Sequence, residues 1–265
     1  MYFCYTLLCT VKIKKALAKW LTTGRQINTK IMKYMGSKRR LAKELLPIIL
    51  KDRKPNQWYV EPFAGGMNMI CKVQGNRIAN DYNEYVAEMW NALVNRNWQP
   101  PNKVTEQEYN DIKQNKSKYP MELVGFCGVA LTFGSTWFGT YARNKRGTNY
   151  AMEGRKILMK QVEELQGTLI FNGSYDELSL PSNSVIYCDP PYEGVFGYKD
   201  KFNHTNFWQW CREKSKQGHK VYISEYNAPN DFKLLHSVEL PTNMNAKHKT
   251  KPTEKLFTYE LSIIY

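Results

Sequence analysis

Residues 185–192 run Val-Ile-Tyr-Cys-Asp-Pro-Pro-Tyr, an apolar stretch that drives into one acid, two prolines and an aromatic. β-Branched and aromatic residues fill Val185 to Cys188, and "LPSNS" just before has turn composition, so the run predicts a β-strand with Asp189 at its carboxyl end. Pro190 and Pro191 fix φ and remove two amide donors. The chain therefore cannot continue as a central strand and presents carbonyl oxygens in a stiff turn. A carboxylate, rigid carbonyls and the Tyr192 ring are left together at the edge of a sheet, and in open α/β sheets that edge is where ligands bind. Taken alone, the same residues also describe a plain strand end closed by a proline turn.

A second stretch, "WYVEPFAGGMN" (58–68), has a related design. An apolar strand over Tyr59 and Val60 ends in Glu61 and Pro62. Gly65 and Gly66 then allow a tight turn with close backbone approach, before an apolar helical segment expected to begin near Met67. The pair of glycines is not the dinucleotide fingerprint, and by itself it also fits a structural turn. In "NRIANDYNE" a short strand ends at Asp81, an acid placed to accept hydrogen bonds from ribose hydroxyls. The alternative for Asp81 is an N-cap for a helix from about Glu84 to Leu93. Loop and acid together favour a nucleoside ligand.

These segments need a sheet and a core to hold them. With 265 residues the chain can bury one large core, or one core plus a small appended domain. A net charge of +14 favours a polyanionic partner, nucleic acid first. Six cysteines, at 4, 9, 71, 127, 188 and 211, make no C-x-x-C pair and no metal-ligand spacing with the four histidines. That pattern implies reduced thiols and no structural metal. No apolar run reaches membrane-spanning length, and "MYFCYTLLCT" carries its lysines after the apolar stretch, the wrong order for a secretory signal. The expectation is a soluble cytoplasmic protein. Residues 1–31, basic and with a short amphipathic stretch around "KKALAKWL", differ from the rest of the chain. They are expected to be an N-terminal extension or the product of an upstream start codon, with Met32 as the alternative start. "NMNAKHKTKPTEK" near the C-terminus reads as a polar, basic loop.

Seven short motifs carry a family resemblance. "KYMGSK" (33–38), "EPFAGG" (61–66), "NDYNE" (80–84), "GSYDEL" (173–178), "DPPY" (189–192), "FNHTNFW" (202–208) and "VYISEYNAP" (221–229) follow the motif order of Dam-like DNA adenine-N6 methyltransferases of the D12 class, alpha group. The chain resembles that family over roughly residues 32–260. The resemblance implies an α/β, Rossmann-like S-adenosylmethionine-dependent methyltransferase sheet with a mainly helical target-recognition insertion. The catalytic domain would comprise residues 32–91 and 166–265, and the insertion residues 92–165. The implied partners are S-adenosylmethionine and double-stranded DNA, with no metal and no membrane. A monomer in the cytoplasm of a bacterium or phage-infected host, acting in restriction-modification, completes the expectation.

Residue by residue, the resemblance assigns Asp189, Pro190, Pro191 and Tyr192 to catalysis. Adenine N6 is a poor nucleophile because its lone pair is delocalised into the ring, so acceptors are needed at both N–H bonds. The Asp189 side chain and the Pro190 carbonyl are such acceptors, preorganised by the proline turn. Tyr192 offers a face to a base flipped out of the duplex. Donor contacts fall to Tyr34, Lys38, the loop residues Phe63, Ala64, Gly65 and Gly66, then Asp81, Tyr175 and Asp189. Lys38 would face the donor's carboxylate. "GSYDEL" departs from the common family form by placing Ser174, not an acid, before Tyr175. In "FNHTNFW", Asn203 or Thr205 is a ready N-cap. Within "TFGSTWFGTYARNKRGTNYAMEGRK", Arg143, Asn144, Lys145 and Arg146 resemble the tip of a β-hairpin flanked by aromatic strands, with base-reading chemistry suited to the major groove. Cytosine-N4 methylation, RNA methylation and a catalytically silent DNA-binding protein are the alternatives. The hairpin opposes RNA, whose deep major groove is too narrow to read.

Overall fold

The computed structural model describes residues 32–193, 202–239 and 253–260. The expected extension over 1–31 and most of the basic loop over 243–255 lie outside the described residues.

Seven strands form one mixed sheet: β1 (Tyr59–Glu61), β2 (Arg77–Asp81), β3 (Thr168–Asn172), β4 (Val185–Cys188), β5 (Lys220–Glu225), β6 (Phe232–Glu239) and β7 (Thr253–Tyr259). Their spatial order is β3-β2-β1-β4-β5-β7-β6. β3, β2, β1, β4 and β5 run parallel, whereas β7 pairs antiparallel with both β5 and β6. The order reverses between β1 and β4, which is the topological switch point where doubly wound sheets open a crevice. This is the Rossmann-like α/β class expected from the sequence, closed by an antiparallel pair.

The central strands are buried on both faces, which explains their near-continuous apolar runs. On one face Tyr59, Ala79, Val185, Tyr187 and Leu256 meet the core residues of four helices. These are α1 (Ala42–Ile49), α2 (Glu84–Asn95), α4 (Met121–Ala130) and α5 (Tyr150–Leu165), while α3 (Glu106–Gln114) adds Tyr109 and Ile112. Val60, Ile78, Ile186, Val221, Ile223 and Phe257 point the other way, onto Phe207, Trp208, Trp210 and Cys211 of α6 (His204–Lys216). In α2 the apolar residues Val86, Met89, Trp90 and Leu93 recur at helical spacing. Gly125 lets α4 press on α2, since a Cβ there would stand 2.1 Å from the Tyr85 carbonyl oxygen.

Two local expectations need correction. No α-helix starts near Met67: that residue takes φ of 52°, and only a 3-10 turn, Ile70–Lys72, follows before the chain reaches β2. A left-handed residue cannot open a helix, and the segment is too short to restart one. The hairpin strands around residue 143 are also missing. Thr132 and Tyr141 make a single antiparallel bridge, and α5 begins at Tyr150 with Asn149 as its cap. Local side-chain bonds have displaced the ladder. The Asn144 carbonyl oxygen on the side chain accepts from the amides of Arg146 and Thr148, both at 3.1 Å.

Candidate active site

Glu61, Asp81, Asp189 and Glu225 stand at or just beyond the carboxyl ends of β1, β2, β4 and β5. The turn after β1 is bound from every side. Ala64 N–H donates to the Asn80 carbonyl at 2.8 Å, and the Asn80 amide donates to the carbonyls of Pro62 (3.1 Å) and Gly173 (2.9 Å). Gly65 N–H donates to Asp81 Oδ2 at 2.7 Å, while its carbonyl accepts from Trp90 Nε1 at 3.0 Å. The Gly66 carbonyl accepts from Gln161 Nε2 at 2.9 Å. Tyr34 lies directly on the loop: a Cβ at Gly65 would come within 2.6 Å of its ring, and one at Gly66 within 2.6 Å of its own Cβ. With φ of +46° at Gly65, any larger residue there would also be strained.

Asp81 does not cap α2. Asn83 does, accepting from the amides of Tyr85 and Val86 at 3.1 and 3.3 Å. Asp81 instead braces the glycine turn through Oδ2 and accepts from Asn83 N–H through Oδ1 at 2.9 Å. Burial raises its carboxyl above the ordinary value, against the pull of those two amides. Each carboxylate oxygen keeps a further acceptor lone pair.

At the end of β4, Asp189 is joined to a residue far away in sequence. Lys38 Nζ donates to Asp189 Oδ1 at 2.7 Å and to the Gly36 carbonyl at 3.0 Å, lies 3.8 Å from Glu254 Oε2, and sits 4.5 Å from the Tyr192 ring centroid. The Lys38 side chain is 5% exposed and that of Asp189 is 21% exposed, so the pair opens to solvent only through the acid. Burial favours a neutral Lys38, but Asp189 and Glu254 outweigh it and hold the ammonium above its ordinary pKa. Burial likewise raises Asp189, with Lys38 opposing. Tyr192 donates its hydroxyl to Glu254 at 2.7 Å and stands edge-on to Tyr226 at 4.7 Å. Burial, then the neighbouring carboxylates, push its phenol far above the ordinary value, so it remains a donor.

Phe63 and Tyr175 meet with ring centroids 5.3 Å apart. Phe202 and Phe207 complete the cluster, each within 6 Å of both rings. Ser174, the departure in "GSYDEL", donates to Asp176, which restores an acid to the turn one residue after Tyr175. Asn203 caps α6 by accepting from Asn206 N–H at 3.0 Å.

The site residues named from the sequence thus fall into two groups. Tyr34, Lys38, Phe63, Ala64, Gly65, Gly66, Asp81, Tyr175, Asp189, Pro190, Pro191 and Tyr192 gather along the carboxyl ends of β1, β2, β3 and β4. Arg143, Asn144, Lys145 and Arg146 form an exposed turn with Gly147, whose amide donates to the Asn144 carbonyl at 3.2 Å. Arg143 pairs with Glu106 at 3.2 Å. Asn144 is occupied by Thr148 Oγ1 (2.7 Å) and the Tyr150 hydroxyl (3.2 Å) as well as by the turn amides.

Several residues of the site escaped the sequence reading. Glu61 is buried against the Tyr59 hydroxyl at 2.8 Å, and burial pushes its carboxyl up to about 8. Its position at the end of β1, within "EPFAGG", was the available signal. Gln161 of α5 and Glu254 of β7 had no such signal, since no local pattern marks either.

Residues 34–123 match the family model of the D12 class N6 adenine-specific DNA methyltransferases, the family expected from the motif order. The chain is 24% identical over 278 residues to the modification methylase StsI of Streptococcus sanguinis, covering 91% of this chain and 40% of that protein. It is 21% identical over 202 residues to the type II methyltransferase M.FokI of Planomicrobium okeanokoites, covering 64% and 31%. The chain therefore spans less than half the length of these curated relatives. A solved structure from Listeria monocytogenes, described as a class I S-adenosylmethionine-dependent methyltransferase, covers 96% of this chain and 68% of its own at 11% identity and a TM-score of 0.36. That likeness is too loose to decide the architecture, which the strand order itself establishes.

Proposed function

We propose that this chain transfers a methyl group from S-adenosylmethionine to N6 of an adenine flipped out of duplex DNA, a reading that the D12-class match supports. One observation carries the reading. Asp189, at the switch-point edge of the sheet, is half-buried, fastened to the buried Lys38 and set beside the Tyr192 ring, with the glycine turn of β1 next to it in the sheet.

The residues fit the donor. Asp81 offers a carboxylate with spare lone pairs for ribose hydroxyls, Phe63 and Tyr175 offer apolar faces for a purine, and the missing side chains of Gly65 and Gly66 let Tyr34 close directly onto the turn. Bound there, S-adenosylmethionine would supply an electrophilic methyl on a sulfonium. The protein's own part is to hold the nucleophile. Asp189 and the Pro190 carbonyl accept the two N–H bonds of the amino group, which localises the nitrogen lone pair as positive charge develops. Tyr192 stacks on the base and offsets part of its unstacking cost. Lys38 acts first on Asp189, opposing the rise that burial imposes on the acid's pKa, and a donor carboxylate would have to share that ammonium.

Residues 92–165 serve as the target-recognition domain, with the Arg143–Arg146 turn on DNA. The net charge of +14 supports a polyanionic partner. Among the described residues no helix is long and apolar enough to cross a membrane. The reading is of a cytoplasmic monomer acting on DNA in a restriction-modification setting. Nucleotide-resolution mapping of DNA from cells expressing the chain tests the proposal. N6-methyladenine within one short sequence is the expected result. N4-methylcytosine, methylation confined to RNA, or unmodified nucleic acid would each replace it with one of the alternatives.

A further inference from the structure

Glu254 stands outside every motif by which the family was recognised, yet the fold draws it into the site. It projects from β7, the antiparallel strand beside β5, and is 9% exposed. Its Oε2 accepts from the Tyr192 hydroxyl at 2.7 Å and lies 3.8 Å from the Lys38 ammonium, which donates to Asp189 at 2.7 Å. The two groups assigned above to the flipped base, the Asp189 acceptor and the Tyr192 ring, therefore share one neighbour. It reaches the first through Lys38 and the second through a phenol. Taking a carboxylate out of water is costly unless it is paired and hydrogen-bonded, and Glu254 is both.

On the adenine-N6 reading of this site, we propose that Glu254 is a positioning residue for methyl transfer, anchoring the Tyr192 ring and sharing the Lys38 ammonium that donates to Asp189. Without Glu254 the ring loses its tether to β7, and Lys38 turns wholly to Asp189, competing with the amino group for the acceptor. Neither change touches the glycine turn or Asp81, so the donor keeps those contacts, and only the ammonium it shares with Asp189 is affected.

A residue that merely supported β7 would lower thermal stability and donor affinity together. Positioning has a different signature. Glu254→Ala should slow single-turnover methylation of a duplex carrying the mapped site by about 10- to 100-fold, the scale expected when a reacting group is misplaced by about an ångström. Calorimetric affinity for S-adenosylhomocysteine should stay within about threefold of wild type, a change too small for loss of a direct contact. Tyr192→Phe removes the phenol contact alone and should reproduce part of the loss, and the double variant should be no slower than Glu254→Ala, in which that contact is already gone. Glu254→Gln keeps an oxygen for the phenol but not the charge that faces Lys38, and should recover part of the rate. A wild-type rate in Glu254→Ala, additive losses in the double variant, or affinity falling in step with rate would overturn the proposal. Should Glu254→Ala not fold, Tyr192→Phe leaves β7 intact, and an unimpaired rate in that variant is equally fatal. Wild-type protein is assayed first: if it fails to methylate adenine, the reading of the site falls and the role of Glu254 with it, a result distinct from failure of the variants alone.

Discussion

Lys38 and Arg143 each hold a carboxylate, and they share little else. Lys38 is 5% exposed, 2.7 Å from Asp189, and also in contact with a carbonyl, a second acid and an aromatic face. Arg143 is 71% exposed and meets Glu106 at 3.2 Å in open solvent. Removing one partner of a buried pair strands a charge, whereas an exposed pair contributes about 0–1 kcal/mol and weakens with salt. The sheet edge is therefore built before any ligand arrives. The turn at 143–147 instead holds its own backbone in shape, and its ion pair with Glu106 is exposed and can be exchanged for other contacts at little cost.

The strongest challenge to that contrast is Asp189→Ala. Methyl transfer in a single-turnover assay should fall by roughly two to three orders of magnitude, by analogy with loss of one preorganised polar group, while DNA binding persists. Near-wild-type turnover would mean that the buried pair is structural. Next in size, Asp81→Ala should weaken S-adenosylmethionine by about 1–3 kcal/mol, the usual consequence of leaving hydrogen-bonding hydroxyls without a partner. Because Asn83 caps α2, the variant should stay folded, and calorimetric titration with the donor reads the loss of the hydroxyl acceptor together with that of the Gly65 brace.

In the exposed turn the effects should be smaller and should separate by kind. If Arg143 reads a base edge, Arg143→Ala costs about 1–3 kcal/mol on the cognate site and relaxes the preference at one position. Lys145→Ala should instead weaken all duplexes alike and lower the salt dependence by about one counterion. Asn144→Ala acts through the turn it closes, so its loss should be accompanied by faster proteolysis near residue 145. Competition binding on single-base variants of the site, repeated across salt concentrations, distinguishes these outcomes, and an intact preference in a variant lacking both Arg143 and Asn144 would move recognition elsewhere.

The smallest effect returns to the buried side. Glu61 has its carboxyl raised to about 8 by burial, with the Tyr59 hydroxyl opposing. A group whose folded pKa lies above its unfolded value favours the folded state while protonated, and this stability is lost as pH rises from about 4.5 through about 8. Glu61→Gln keeps an acceptor for Tyr59 and lacks that titration. Its melting temperature relative to wild type should improve by a few degrees across this range, and parallel curves would show that Glu61 is ionised in the fold.

Much of the site was legible in the chain because the signals are local. The strands before Glu61, Asp81 and Asp189, the glycine turn, and the cap at Asn203 each follow from neighbouring residue types, and the structure has them in place. The helix expected near Met67 failed because nothing local announces a left-handed residue outside glycine. The hairpin failed because Asn144 bonds its own turn and Asn149 starts a helix, so aromatic flanks that suit a strand were drawn into packing instead: Tyr109 lies 5.4 Å from Phe138 and 5.3 Å from Tyr141.

By itself the sequence determined that acids, glycines and prolines close a set of strands, since backbone conformation and strand ends depend on residues a few positions apart. Only the tertiary structure decided that Lys38 would be fastened to Asp189, 151 residues away, that Gln161 would reach the Gly66 carbonyl, and that Glu254 would meet Tyr192. Those contacts depend on which strands and helices lie side by side, and strand order is set by burial of both faces of the sheet, a property of the whole chain.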